Sequence, residues 1–346
     1  MKALFIGLGG IGQRHLRNLI ALRADAEIYA IRRRREQTVL DTKLQVIEGE
    51  TLEEKYQIRI LKTLEEAKEI GVDTVFICNP SSMHMDILID SIKYGWNVFV
   101  EKPLSHNLDR IDDLKKCLKA PHKTTMIGFQ NRFHPCIKKV KEILKQGIIG
   151  EICFVNAEIG ENVTRWHPFE DYKRMYACRK ELGGGVVLSQ IHELDYLYHF
   201  LGMPQTIYAV GGTLGDLEID VEDVADVLMT YRRGNKTIPV CIHEDYLQFP
   251  PNRKCKIQGT KGRIDFDLIH ATVDLYNQNG ELLSKDSFDF DRNDMFLEEM
   301  QNFLESIKMG QPSDIPVDEG IQSLEMAMHV KKSIETGNII KMGELQ

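Results

Sequence analysis

"KALFIGLGGIGQRHLRNLIALRADAEIYAIRRRRE", residues 2–36, is the stretch from which the fold is read. "KALFIGLG" (2–9) opens with an apolar run of strand length. "IGQRHLRNLIALR" (11–23) sets Leu16, Leu19, Ile20 and Leu22 near helical period, and "EIYAI" (27–31) reads as a second strand. Gly7, Gly9 and Gly12 stand at the first joint in the spacing GxGxxG. Alone that spacing is weak. Here it follows a strand, opens a helix and begins a strand–helix–strand unit, which is the context that holds a dinucleotide. Gly7 permits the tight turn, Gly9 lets the backbone approach a pyrophosphate, and Gly12 lets helix and strand pack closely. Gly10 and Ile11 begin the helix whose N-terminal N–H groups and dipole favour phosphate.

The end of the second strand bears on which dinucleotide. A reader of NAD carries Asp or Glu there, to bond the ribose 2′-hydroxyl. This chain has Arg32, followed by Arg33, Arg34 and Arg35. A guanidinium fork matches a 2′-phosphate. NADP is therefore favoured, with NAD the alternative. Arg32 and Arg33 are the candidate contacts, and the next two arginines read equally well as surface charge.

Strand and helix signals keep alternating through "LEEAKEIG" (64–71), "DTVFIC" (73–78), "MHMDILIDSIKYG" (83–95), "NVFVEKP" (97–103), "LDRIDDLKKCLKA" (108–120) and "TTMIGF" (124–129). Such repetition implies a parallel sheet with right-handed crossovers. From about residue 150, strand-like runs dominate, with a hairpin turn at "NQNG" (277–280). Two helical segments, 295–310 and 317–337, close the chain. The expected fold is an α/β Rossmann domain over residues 1–122. An α+β domain with a large, mainly antiparallel sheet follows over 123–346, the closing helix being free to pack back on the first domain.

Bulk properties narrow the function. At about 150 residues per domain, 346 residues suit two. A net charge of −8 argues against affinity of the whole surface for nucleic acid. No run is long enough to span a bilayer, and the start has no signal-peptide layout. The seven cysteines form no CxxC pair and are odd in number, against zinc or a disulfide framework and in keeping with the cytoplasm. The acidic runs "VEDVAD" and "DFDRND" lack histidines at ligand spacing, so no metal is expected.

Ligands of open α/β sheets lie across the carboxyl ends of the strands. Two further segments end there. "CNPSSMH" (78–84) offers Asn79, Pro80 and His84 to the cofactor. "VFVEKPLS" (98–105) offers Glu101 and Lys102, the lysine restrained by Pro103.

With the glycine fingerprint, the segments "NPSSMHMDILIDSIKYGWNVFVEKPLS", "GFQNRF" (128–133), "GGGVVLSQIHELD" (183–195), "IQGTKGRIDFDL" (257–268) and "MFLEEMQNFLESI" (295–307) resemble the glucose–fructose oxidoreductase, inositol dehydrogenase and MocA family. The resemblance runs over nearly the whole chain. It implies oxidation of a sugar or cyclitol hydroxyl, or reduction of a ketone, with NAD or NADP. It also implies homodimers or homotetramers paired through the C-terminal sheet. It assigns Lys102 to contact with substrate and cofactor ribose, and His192 to the reacting oxygen. Many members carry an aspartate shortly before that histidine; this chain has Leu188, Ser189, Gln190 and Ile191, and the nearest carboxylate in helical reach is Asp195, three positions on.

Substrate contacts are expected from Asn131, His192 and the loop before the glycines, through Trp166, Tyr172, Tyr176 and Arg179. Aromatic faces stack on sugar rings, and guanidinium binds acidic groups. The loop resembles segments of family members in bacterial surface-sugar and sialic-acid-like sugar metabolism. Two other functions fit the same residues. One is a redox-neutral sugar elimination or hydrolysis enzyme that keeps its NAD(P). The other is a non-catalytic sensor of NADP or a sugar.

Overall fold

The computed structural model describes residues 1–32, 38–167 and 169–343. Arg33, Arg34 and Arg35 lie outside the described residues. The chain divides into two compact units. One comprises Met1–Phe129 and Phe296–Ile321, the other Gln130–Met295 and Gln322–Gln346.

The first unit is built on a six-stranded parallel sheet. Its strands are β1 (Lys2–Ile6), β2 (Glu27–Ile31), β5 (Arg59–Leu61), β6 (Thr74–Ile77), β7 (Asn97–Glu101) and β8 (Thr125–Gly128). Their order is β5-β2-β1-β6-β7-β8, and every pairing is parallel. The order reverses between β1 and β6, which opens the crevice at their carboxyl ends. Between β2 and β5 a small hairpin, β3 (Val39–Leu40) with β4 (Val46–Ile47), precedes the short helix α2 (Leu52–Tyr56). The main helices of this part are α1 (Gly10–Leu22), α3 (Leu64–Glu69), α4 (His84–Lys93) and α5 (Ile111–Lys119). Continuous burial along β6 and β8, against the half-polar helix faces, is the signature of a sheet covered on both sides.

Residues 123–129, read from the sequence as the start of the second domain, instead supply the edge strand β8. Its pairing with β7 places it in the first sheet. The return segment completes that unit. Ser313 Oγ donates to the Thr125 carbonyl at 2.8 Å, and the Ile127 N–H donates to the Ile315 carbonyl at 3.0 Å. Phe303 meets the rings of Phe76 and Phe99 at 5.8 and 5.7 Å.

The second unit carries nine strands. They are β9 (Ile152–Gly160), β10 (Thr206–Gly212), β11 (Val224–Arg233), β12 (Lys236–Asp245), β13 (Asn252–Gly259), β14 (Gly262–Asp267), β15 (Thr272–Asn277), β16 (Leu282–Ser287) and β17 (Ile340–Lys341). The order is β16-β15-β14-β13-β9-β12-β11-β10-β17. Among the described residues only β9 with β12 is parallel, so the sheet is mixed but mainly antiparallel. Burial alternates along β11 and β12. Their covered face carries Val227, Met229, Val240 and Ile242, and the opposite face leaves Leu228 and Cys241 exposed. The turn after Asn277 closes β15 onto β16, with Gly280 at φ +81°. Helices α6 (Pro135–Lys145), α7 (Val186–Ser189) and α8 (His192–Leu201) also belong here. The division between units falls within the closing helices α9 (Arg292–Met309) and α10 (Val317–Thr336).

His134 caps α6. Its Nδ1 accepts from the Cys136 N–H at 3.1 Å, so Nε2 carries the proton and donates to the Leu268 carbonyl at 3.2 Å. Burial lowers its pKa from 6.5 to about 4. Below pH 6.5 the unfolded chain takes up a proton that the folded one refuses, so stability is lost as pH falls from about 6.5 to about 4. At about 1.4 kcal/mol per unit this amounts to roughly 3 kcal/mol. His199, held at about 3 by burial and by Arg132 and Lys141, adds to the same slope. His134→Asn keeps a capping side chain without the titration. Urea midpoints at pH 7 and pH 5 should differ less in this variant than in the wild type, and equal differences would remove His134 as a source.

Candidate active site

In the first unit, the turn from β1 into α1 has the geometry its glycines require. Gly7 sits at φ +93°, and a Cβ there would come within 2.7 Å of the Asn79 backbone nitrogen. A Cβ on Gly12 would lie 2.3 Å from the Gly7 carbonyl oxygen. Gly9 is different. It is exposed, and a Cβ on it would meet nothing within 4 Å. The first turn of α1, which includes Gly10 and Ile11, has no acidic residue and no side-chain cap. Its N–H groups are thus open to an anion beside empty space, a setting that fits a dinucleotide pyrophosphate.

Arg32 follows β2 directly, and the Gly7 N–H donates to the Ile31 carbonyl at 3.4 Å, tying that strand end to the glycine turn. The Arg32 guanidinium, 10% exposed, is ion-paired with Glu53 in the first turn of α2. The expected phosphate reader therefore already holds a carboxylate.

At the end of β6, Asn79 and Pro80 lead into α4, whose first residue is His84. That histidine is 1% exposed. Its Nδ1 lies 3.0 Å from the Pro103 carbonyl and its Nε2 2.7 Å from the Asn79 carbonyl. The ring of this expected cofactor contact thus sits between the backbone carbonyls that follow β6 and β7. A neutral ring has one N–H to give, and burial lowers its pKa. The loop it braces carries Lys102, half-buried, through a cis peptide to Pro103.

Glu101 supports the same loop from the other side. One oxygen is 2.5 Å from His15 Nε2, on α1, and the other accepts from the Lys102 N–H at 3.2 Å. Beside this pair lies Glu299 of α9, fully buried, with no hydrogen-bond partner for either oxygen among the described residues. Burial, with Glu101 nearby, pushes its carboxyl well above the usual range. Burial likewise raises the Cys78 thiol, leaving it no nucleophile.

In the second unit, His192 opens α8 and is 4% exposed. The Gln130 amide nitrogen lies 3.2 Å from its Nε2. With the amide donating, Nε2 accepts, and the neutral ring carries its proton on Nδ1. Asp195 serves another partner. Arg132 grips it through Nε and Nη2 at 2.9 and 2.7 Å, and Ser323 Oγ donates to it at 2.9 Å. It anchors Arg132 and Ser323, and Gln130 is a side chain that meets His192. Asn131, between Gln130 and Arg132, is 3% exposed. Gly185, at φ +110°, makes the bend into α7, and a Cβ there would strike the Glu222 carboxylate, which Lys331 clamps at 2.8 Å.

The loop expected to meet substrate folds through short 3-10 turns. Trp166 is half-buried, edge-on to Tyr246 at 5.3 Å. Tyr172 and Tyr176 are half-buried as well. Lys173 pairs with Glu218 and Arg179 with Glu181, each at 2.6 Å, so the loop's positive charge is partly spent within the protein. No cluster of three or more potential metal ligands exists among the described residues, and no helix there is long and apolar enough to cross a membrane.

Comparison with known proteins agrees with this construction. Residues 1–129 match the description "Oxidoreductase family, NAD-binding Rossmann fold", and residues 137–265 match "GFO/IDH/MocA C-terminal domain". Myo-inositol 2-dehydrogenase of Thermotoga maritima is 28% identical, over 100% of this chain and 99% of that protein. The 2,7-anhydro-N-acetylneuraminate hydratase of Escherichia coli is 28% identical over 57% of this chain and 52% of its own length. Levoglucosan dehydrogenase, solved with NADH and levoglucosan, superposes with a TM-score of 0.82 over 99% of this chain and 100% of its own. At 15% identity that likeness speaks to the fold alone. The chain, with its Rossmann unit and large mixed sheet, belongs to the Gfo/Idh/MocA family of oxidoreductases.

Proposed function

We propose that the protein is an NADP-preferring oxidoreductase acting on a carbinol carbon of a sugar or sugar derivative. The observation that carries this reading is Lys102, braced by Glu101 and His84 at the edge of the sheet that holds the glycine turn. Gly7, Gly9, Gly10, Ile11 and Gly12 would hold the pyrophosphate of NAD(P), with Asn79 and Pro80 bordering it and Arg32 at the ribose end. Bound there, the cofactor supplies hydride acceptance from, or donation to, the carbinol carbon. Lys102 and His192 divide the remaining work, moving the hydroxyl proton and stabilising the developing oxyanion. His192, with Gln130 donating to Nε2, presents a ring that carries its proton on Nδ1. Asn131, Trp166, Tyr172, Tyr176 and Arg179 supply the sugar contacts in this reading. Acidic sugars, including sialic-acid-like ones, match the pairing of aromatic faces with Arg179.

The curated hydratase relative, and the missing carboxylate before His192, favour one second reading. In it the sugar is oxidised transiently, undergoes elimination or addition, and is reduced again, with no net change in cofactor. The open face of the nine-stranded sheet, with Tyr208, Val210 and Leu228 exposed around a basin of ≈ 910 Å³, suits a second copy of the chain.

A panel of cyclitols, aldoses, uronic acids and anhydro-sugars, each with NADP and NAD, separates these readings. The first expects an absorbance change at the nicotinamide band, with kcat/KM about tenfold or more higher for NADP. A sugar product without any net absorbance change supports the second. Binding without any product would leave a sensor. The same preparation should sediment as a dimer or tetramer, and a monomer would remove the sheet-paired assembly.

A further inference from the structure

We infer that Glu53 is a cofactor-specificity residue, which holds the Arg32 guanidinium and thereby limits how well the protein takes a 2′-phosphate. This rests on the oxidoreductase reading above and concerns the ribose end of the same site. The strand end that conventionally offers a carboxylate offers Arg32, yet a carboxylate reaches that place from α2, 21 residues along the chain. Arg32 is 10% exposed and Glu53 32%, so the pair is only partly screened by solvent.

The surroundings fix this end of the cleft. The Gln13 amide nitrogen on α1 donates to the Leu8 and Thr38 carbonyls at 3.0 and 2.9 Å, and its oxygen accepts from the Leu40 N–H at 2.8 Å. Arg17 donates to the Leu40 carbonyl at 2.8 Å. A Cβ on Gly10 would touch Leu44 at 3.6 Å. The hairpin between β2 and α2 is thus stitched to the fingerprint helix. Thr51 caps α2, accepting from the Glu54 N–H at 3.2 Å, which sets the first turn that carries Glu53.

The two cofactors place different demands on this pair. A 2′-hydroxyl donates one hydrogen bond and accepts another, so an intact guanidinium–carboxylate pair satisfies it. A 2′-phosphate only accepts, and carries charge of its own. It must take the guanidinium away from Glu53 and then lie beside the released carboxylate. Arg32 is what attracts NADP, and Glu53 is what NADP competes with.

The test is calorimetric titration of NADP and of NAD, at one ionic strength, into wild type, Glu53→Gln, Arg32→Gln and the double variant. Glu53→Gln should tighten NADP about tenfold and leave NAD unchanged or weaker. The double variant should lose that gain. A Glu53→Gln protein with the wild-type ratio of NADP to NAD affinity would overturn this inference and leave the oxidoreductase reading intact. So would a gain that survives in the double variant. Wild-type protein that binds neither nucleotide would remove both.

Discussion

Lys102→Ala is expected to lower turnover on the true sugar or cyclitol by about 10² to 10⁴ while moving cofactor affinity by less than about tenfold. The backbone of this loop is held without the lysine side chain. Glu101 accepts from the residue 102 N–H, and the buried His84 ring, with one N–H to give, sits between the Pro103 and Asn79 carbonyls. Truncation at Cβ therefore removes the ammonium and leaves the loop in place. The glycine turn keeps its uncapped N–H groups, so pyrophosphate binding survives. A loss confined to kcat, with KM for the cofactor little changed, is the signature of a group that acts on the reacting hydroxyl. Lys102→Arg keeps the charge but not the point geometry of an ammonium, and should recover only a small part of the rate. Near-normal turnover in Lys102→Ala would end the assignment.

Asp195→Ala is expected to cost about 3 to 5 kcal/mol of stability, a fall of roughly 10 °C in Tm. Arg132 and Asp195 are 5% and 1% exposed along their side chains, and the pair is joined by two hydrogen bonds with a third from Ser323. Removal of the carboxylate leaves a guanidinium with little water to replace it. The double change Arg132→Met with Asp195→Leu removes both charges and should cost less than Asp195→Ala alone. Differential scanning calorimetry of the three proteins measures this. A shift below about 2 °C in Asp195→Ala would mean that the pair contributes specificity rather than stability.

Local pattern accounts for what was legible in the sequence. The run from Lys2 to Ile31 has strand length, helical period and strand length in turn, with glycines at the joint, and β1, α1 and β2 follow it closely. The same holds for "NQNG", whose turn residues close β15 onto β16. What stayed hidden is set by distance along the chain. Nothing near Arg32 announces Glu53, because α2 is five residues long and too short to show a period. The role of Asp195 depended on Arg132, 63 positions away, and on Ser323, 128 positions away. Glu299 lies in the helical segment 295–310 with no local mark of burial, yet it is wholly buried beside Glu101. The edge strand β8 was assigned to the wrong side of the boundary because its pairing with β7, and the cover from Ser313 and Ile315, are tertiary facts.

The discontinuity of the first unit has a consequence for how the protein is made. A ribosome that has released residues 1–129 has delivered all six strands of the parallel sheet, but not the segment from Phe296 to Ile321 that finishes it. Until Phe303 emerges, Phe76 and Phe99 lack a ring that they meet in the finished protein, and until Ile315 emerges, the Ile127 N–H lacks its carbonyl. The nucleotide-binding half therefore cannot mature before the other half has been synthesised. Those rings wait while about half of the chain is made, at the stage when nascent chains are most exposed to aggregation and to chaperones. Gene fragments cut after residue 129 would inherit that waiting state permanently.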